Sequence, residues 1–125
     1  MKKIIFTEKA PAPIGPYNQA TLAGNTLYVS GQIPVNPATG EVVSGIEAAT
    51  TQVMENLKAV LEAAGATFEN IVKTTIFLAD MKQFAQVNAV YAQYFDEKTA
   101  PARETVEVAN LPKYVEVEIS CIAVI

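Results

Sequence analysis

The only arginine of the chain, Arg103, stands in Pro101-Ala102-Arg103 where an extended segment begins, and Glu118 stands inside the most apolar extended segment, Val115-Glu116-Val117-Glu118-Ile119, which runs on through Cys121 to Ile125. A carboxylate in such company is costly unless something pairs with it. Arg103 is a natural partner; alternatively, both groups await a ligand. Arginine presents a planar fork that grips a carboxylate with two hydrogen bonds, and glutamate moves protons. An anion clamp beside an acid/base group is a minimal hydrolytic site. The chain has no histidine and one cysteine, which excludes a histidine triad, a histidine general base and a thiolate zinc site. Catalysis would have to use carboxylate, Tyr, Lys, Ser/Thr, Cys121 or the backbone.

With 125 residues, half of them hydrophobic, the sequence predicts one domain, 1–125, with a sizeable core. The net charge of −4 is built from nine scattered Lys/Arg and thirteen Asp/Glu. A binder of the phosphate backbone should carry a basic stripe, so nucleic acid is not the expected partner. A single cysteine suits a reducing compartment. Ile4-Ile5-Phe6 is too short for a signal-peptide core, and no apolar run approaches the ~18 residues of a membrane span. The expected location is cytoplasmic, with no membrane partner.

The elements that must hold Arg103 and Glu118 follow from periodicity. Lys3 to Phe6, Asn18 to Leu22 and Thr26 to Ser30 read as strands, with Gly24-Asn25 as a tight turn. The intervening Ala10 to Tyr17, holding three prolines and a glycine, is a loop, as is Gly31 to Pro37. Ser44 with Glu47 forms a capping box opening a helix. Its stripe is Ile46, Ala49, Val53, Leu57, Val60 and Ala64, and Gly65 ends it. Ile71 to Leu78 is a strand. Asp80 with Gln83 opens a second helix, whose buried stripe is Phe84, Val87, Tyr91 and Phe95. Strands Arg103 to Val108 and Val115 to Val124, joined across Leu111-Pro112, complete a β-β-β-α-β-α-β-β order. That order predicts an α+β fold with two helices on one face of a mixed sheet.

Two helices cover one face only, and the last strand is apolar on both sides near its end, so a second subunit is expected on the other. Pairing residue 105 directly with 118 would set Arg103, Thr105 and Glu118 on one face; a slip of one residue would reverse Glu118. The Asn110–Tyr114 turn leaves that register open.

Seven segments, in order and spanning almost the whole chain, resemble the RidA (YjgF/YER057c/UK114) family: Ala12 to Tyr17, Ser30 to Pro34, Asn56 to Lys58, Lys73 to Phe77, Asn88 to Tyr91, Pro101 to Arg103, and Val117 to Ile119. The resemblance implies a chorismate-mutase-like α+β fold assembled as a homotrimer with clefts between subunits. It also implies cofactor-free, metal-free hydrolysis of reactive 2-imino acids and their enamines, such as 2-iminobutanoate and 2-iminopropanoate released by pyridoxal-phosphate enzymes, to 2-keto acids and ammonia. Carried over by position, Arg103 would bind the substrate carboxylate with help from the Thr105 N–H. Glu118 would activate water or shuttle a proton. Tyr17 would close the cleft and donate a hydrogen bond, Ser30 and Gly31 would line it, and Asn88 would brace it. Many relatives carry a cysteine at the Thr105 position, and Glu104 replaces a small residue or Cys, placing an anion near Arg103.

Each residue also has an ordinary explanation: Arg103 and Glu118 as a structural ion pair, Tyr17 as a packed loop aromatic, Asn88 as a satisfied core amide, Ser30 and Gly31 as a strand end and turn. Cys121 reads as an apolar filler. Against the deaminase stand a non-catalytic small-carboxylate-binding or regulatory trimer and, disfavoured by the acidic composition, a ribonuclease.

Overall fold

A computed structural model describes residues 1–125. The strands are β1 (Lys2–Ile5), β2 (Ala20–Ala23), β3 (Thr26–Gln32), β4 (Ile71–Leu78), β5 (Ala102–Glu107) and β6 (Val117–Val124); the helices are α1 (Ile46–Ala63) and α2 (Phe84–Tyr91). They follow the expected order. One six-stranded sheet runs β1-β2-β3-β6-β4-β5, antiparallel throughout except for the parallel β4–β5 pair. No helix is long and apolar enough to cross a membrane.

Alternation along the strands sorts the faces. Leu27 and Val29 of β3, Thr74, Ile76 and Leu78 of β4, and Val117, Ile119, Cys121 and Ala123 of β6 are buried, and their apolar members join Ala49, Val53, Leu57, Val60 and Leu61 of α1 and Val87 and Tyr91 of α2 in one core. Each fully buried aliphatic side chain contributes about 1.5–3 kcal/mol of transfer free energy. Cys121 is one of these fillers; burial pushes its thiol up to about 12, which leaves it inert. The opposite face carries no helix. It exposes Ile4, Tyr28, Val106 and Val124.

Three local expectations fail for identifiable reasons. The Ser44 capping box does not form: Gly45, at φ 92°, is the cap, and its N–H donates to Glu116 Oε1 at 2.9 Å, a carboxylate from across the chain. Asp80 caps only a single 3-10 turn, by accepting from Lys82 N, and α2 proper starts at Phe84. The last two strands do not pair. β6 inserts between β3 and β4, and β5 lies at the sheet edge parallel to β4.

That insertion settles the relation of Arg103 to Glu118. Ile76 of β4 pairs with Thr105 on one side and Ile119 on the other, Thr74 pairs with Arg103, and Phe77 pairs with Glu118. Arg103 and Thr105 therefore share the helix-covered face with Thr74 and Ile76, whereas Glu118 points to the uncovered face. The two residues make no ion pair; the only one in the protein is Lys73–Glu104 at 3.2 Å.

Candidate active site

On the helix side, Arg103 is presented by the edge strand β5 beneath α2. Nη1 donates to Asn88 Oδ1 at 2.8 Å, and the guanidinium lies over the Tyr91 ring, 4.9 Å from its centroid, with the Phe84 ring at 5.6 Å. Asn88 is a brace for the arginine. Its side-chain amide bonds to nothing else in the chain. No carboxylate lies within ion-pair distance of the guanidinium, which opens onto a cavity of about 430 Å³ bordered by Asn88, Tyr91, Phe95, Glu97 and Ala100.

β5 adds backbone donors. Val108 N–H donates to Leu78 O at 2.9 Å. In a parallel ladder the direction of these groups alternates, so Glu104 and Val106 also turn their amides toward β4, while those of Arg103 and Thr105 point out of the free edge. The Thr105 N–H is thus left free of the ladder at the sheet edge, and its buried Oγ1 has no partner. Glu104 does not neutralise Arg103. It faces the other way, accepts from Thr75 Oγ1 at 2.8 Å and pairs with Lys73; the Thr75 hydroxyl, then Lys73, hold its carboxyl below the usual glutamate range.

On the uncovered side, β3 and β6 pair Val29 with Cys121 and then Gln32 with Ile119, so a bulge falls at Ser30-Gly31. Gly31 is there because Glu118 leaves no room: a Cβ would stand 2.8 Å from Glu118 Cδ and 3.0 Å from Cγ, and would overlap Oε2. Burial raises the Glu118 carboxyl above the ordinary glutamate value, and Oε1 is buried without a hydrogen-bond partner. A half-buried, unpartnered carboxyl at a bulge is an unsatisfied group of the kind that marks a site.

Two buried amides build the walls beside it. Gln19 accepts from Thr7 N–H at 2.8 Å and donates to the carbonyls of Thr7, Ala10 and Pro11, fixing the proline-rich loop that leads to Tyr17. Asn56 of α1 donates to Ile33 O at 3.1 Å and Val35 O at 3.0 Å, fixing the loop after Gly31. Ser30 Oγ donates to Asn18 O at 2.6 Å and Ser30 N–H to Gln19 O at 2.9 Å, so the serine ties the two loops together. The Tyr17 ring packs on Gly15 and is half exposed. Its hydroxyl accepts a long bond from Ile14 N–H, 3.4 Å, and its own proton is uncommitted. Tyr17, Gly31, Gln32 and Ile33 border a cavity of about 220 Å³ with Lys113 at its edge.

The candidate residues thus fall into two groups: Arg103, Asn88 and Thr105 on one face, Tyr17, Ser30, Gly31 and Glu118 on the other. Within a single chain they do not meet. Phe84 and Tyr91 are the neighbours of Arg103 that the sequence reading assigned to the core. Phe84 is in fact 39% exposed. Their signal was in the spacing: 84, 88 and 91 lie on one helical face, so whatever Asn88 faces, they face too.

Known proteins are similar to this one over nearly the whole chain. The family model described as Endoribonuclease L-PSP matches residues 7–125. A RutC family protein of Pyrococcus horikoshii is 56% identical over 98% of both chains. A 2-iminobutanoate/2-iminopropanoate deaminase of Escherichia coli is 54% identical over 99% of this chain and 98% of its own. A crystal structure of the Rid-family protein YyfA of Yersinia pestis superposes with a TM-score of 0.97 at 51% identity, covering all of both chains.

Proposed function

The chain belongs to the RidA family, the family whose model bears the endoribonuclease L-PSP description, and from that premise we propose that it hydrolyses 2-imino acids and their enamine tautomers, 2-iminobutanoate and 2-iminopropanoate among them, to 2-keto acids and ammonia, in clefts completed by a second copy of the chain within a homotrimer. The observation that carries this reading is Arg103: a guanidinium braced by Asn88 and backed by an aromatic ring, yet without an acid to pair with. A substrate carboxylate fills that vacancy bidentately, with the edge amide of Thr105 as a further donor. The unpartnered Glu118 supplies the other half, and the uncovered sheet face supplies a surface on which copies can join.

The chemistry needs no more than these groups. The protonated imine carbon is electrophilic. Glu118, ionised, takes a proton from water as the water oxygen bonds to C2, giving a carbinolamine. The carboxyl then returns the proton to nitrogen; as the C–N bond breaks and ammonia leaves, the regenerated carboxylate takes the hydroxyl proton and the C2–O bond becomes a carbonyl, the proton passing on to ammonia as ammonium. A carboxyl raised by burial suits both proton transfers. Tyr17, with its free hydroxyl proton, donates a hydrogen bond to the substrate from the cleft mouth.

The test couples the protein to a threonine dehydratase or amino-acid oxidase and traps free imine with semicarbazide. Less semicarbazone and faster keto-acid formation, both lost in Arg103→Ala while the oligomer persists, are the expected results. Unchanged activity in that variant removes the assignment, and carboxylate binding without turnover in the native protein favours a sensor. The acidic composition weighs against RNA cleavage, which would have to survive repurification to be credited.

A further inference from the structure

We propose that Tyr91 is a positioning residue for the substrate carboxylate, acting through Arg103; the proposal rests on the deaminase reading of that arginine. As a core aromatic, Tyr91 would need only its ring. Its ring, however, has two planar neighbours, with the guanidinium over it at 4.9 Å and Phe95 against it at 4.7 Å with a tilt of 36°. The hydroxyl is fixed as well, in a 2.8 Å hydrogen bond with Thr74 Oγ1. Thr74 is the register partner of Arg103 in the β4–β5 ladder. One end of the ring is therefore pinned to the residue beside the arginine, and its face is laid under the guanidinium.

The consequence is geometric. A guanidinium bonded only to Asn88 could still rotate about that bond. A ring that takes the flat side of the group in a cation–π contact removes this freedom and leaves the in-plane N–H edge for a carboxylate. Both Tyr91 and Thr74 are buried, 5% and 1% exposed, so the hydroxyl pair has no solvent role. Phe95 is held in turn by an edge-on contact with Phe68, which ties the platform to the loop following α1.

The experiment measures KM and kcat for imine hydrolysis, together with calorimetric binding of 2-oxobutanoate, in Tyr91→Leu and Tyr91→Phe, each with native Arg103 and in an Arg103→Lys background. Thermal unfolding is recorded alongside. With Arg103 present, Tyr91→Leu should raise KM and the 2-oxobutanoate Kd about tenfold, with kcat within about twofold, and Tyr91→Phe should give a smaller rise of about threefold. In the Arg103→Lys background, where no plane exists to be oriented, the Tyr91→Leu effect on Kd should shrink below about twofold. Equal losses in both backgrounds, or losses confined to Tm, overturn the proposal. If Arg103→Ala leaves imine turnover intact, the deaminase reading fails, and the Tyr91 proposal is judged on the Kd values alone; no change of Kd in Tyr91→Leu then overturns it too.

Discussion

Arg103 and Glu118 lie on opposite faces of one sheet, so if they act on the same substrate they come from different chains. The perturbation that tests this is a mixture. Arg103→Ala and Glu118→Gln proteins, each expected to be inactive, are combined in equal amounts and allowed to exchange subunits. On the proposed arrangement each cleft would draw its arginine side from one chain and its glutamate side from the next. In a random mixture half of the arginine sides are intact, and half of the glutamate sides. Roughly a quarter of the clefts, one half times one half, then hold both groups. The semicarbazide-trapping assay should recover about a quarter of the native rate. Mixing native protein with the doubly substituted chain sharpens the reading: shared clefts again give about a quarter, whereas a site contained in one chain would give about half. Mixed oligomers demonstrated by native mass spectrometry, with no activity above the parents, would refute the reasoning.

Other perturbations follow from single contacts. Gly31→Ala forces the Glu118 carboxyl off its seat; kcat should fall on the order of 100-fold with the oligomer intact, the cost of displacing a reacting group by about 1 Å. Glu118→Gln should abolish activity yet raise Tm at pH 7. Burial raises the folded-state pKa above the ordinary value of 4.5, so the native state binds that proton more tightly than the unfolded chain; stability from the neutral form is complete below 4.5 and lost as pH rises through the folded pKa. The Tm advantage should therefore vanish in scans below about pH 4.5, and an equal or lower Tm at pH 7 contradicts the argument. For the same reason the acid limb of kcat/KM should lie above that of an ordinary glutamate. Asn56→Ala removes the donors that hold two loop carbonyls; chemical denaturation should show a loss of about 2 kcal/mol.

Much of the fold was legible because the helices and β4 carry strong periodicity. Ile46 to Val60 and Thr74 to Leu78 sit where their spacing puts them. What was not legible is long-range. Residues 105 and 118 look like opposite limbs of a hairpin, but the order in which strands enter a sheet is decided by which faces must be buried together, not by adjacency in sequence. β6, apolar on both sides, takes a central place, and the more polar β5 is left at the edge. The Ser44 capping box failed for a like reason: the cap falls at Gly45, and Glu116, seventy-one residues away, supplies the carboxylate for the cap N–H that Glu47 was expected to provide. At the site, Arg103, Glu118, Gly31 and Asn88 were recognisable by residue type and by family pattern. Tyr91 and Phe84 were not, because an aromatic at helical spacing satisfies the core explanation fully until the guanidinium above it is seen.

The seat that Gly31 leaves for Glu118 also orders the history open to this chain. A side chain gained first at position 31 displaces the carboxylate and costs most of whatever that group does, so selection for the activity opposes the step. Loss of the carboxylate first vacates the space, after which position 31 can drift freely. Descendants that abandon the reaction thus have a one-way exit, and return requires both positions to revert, the glycine before the acid.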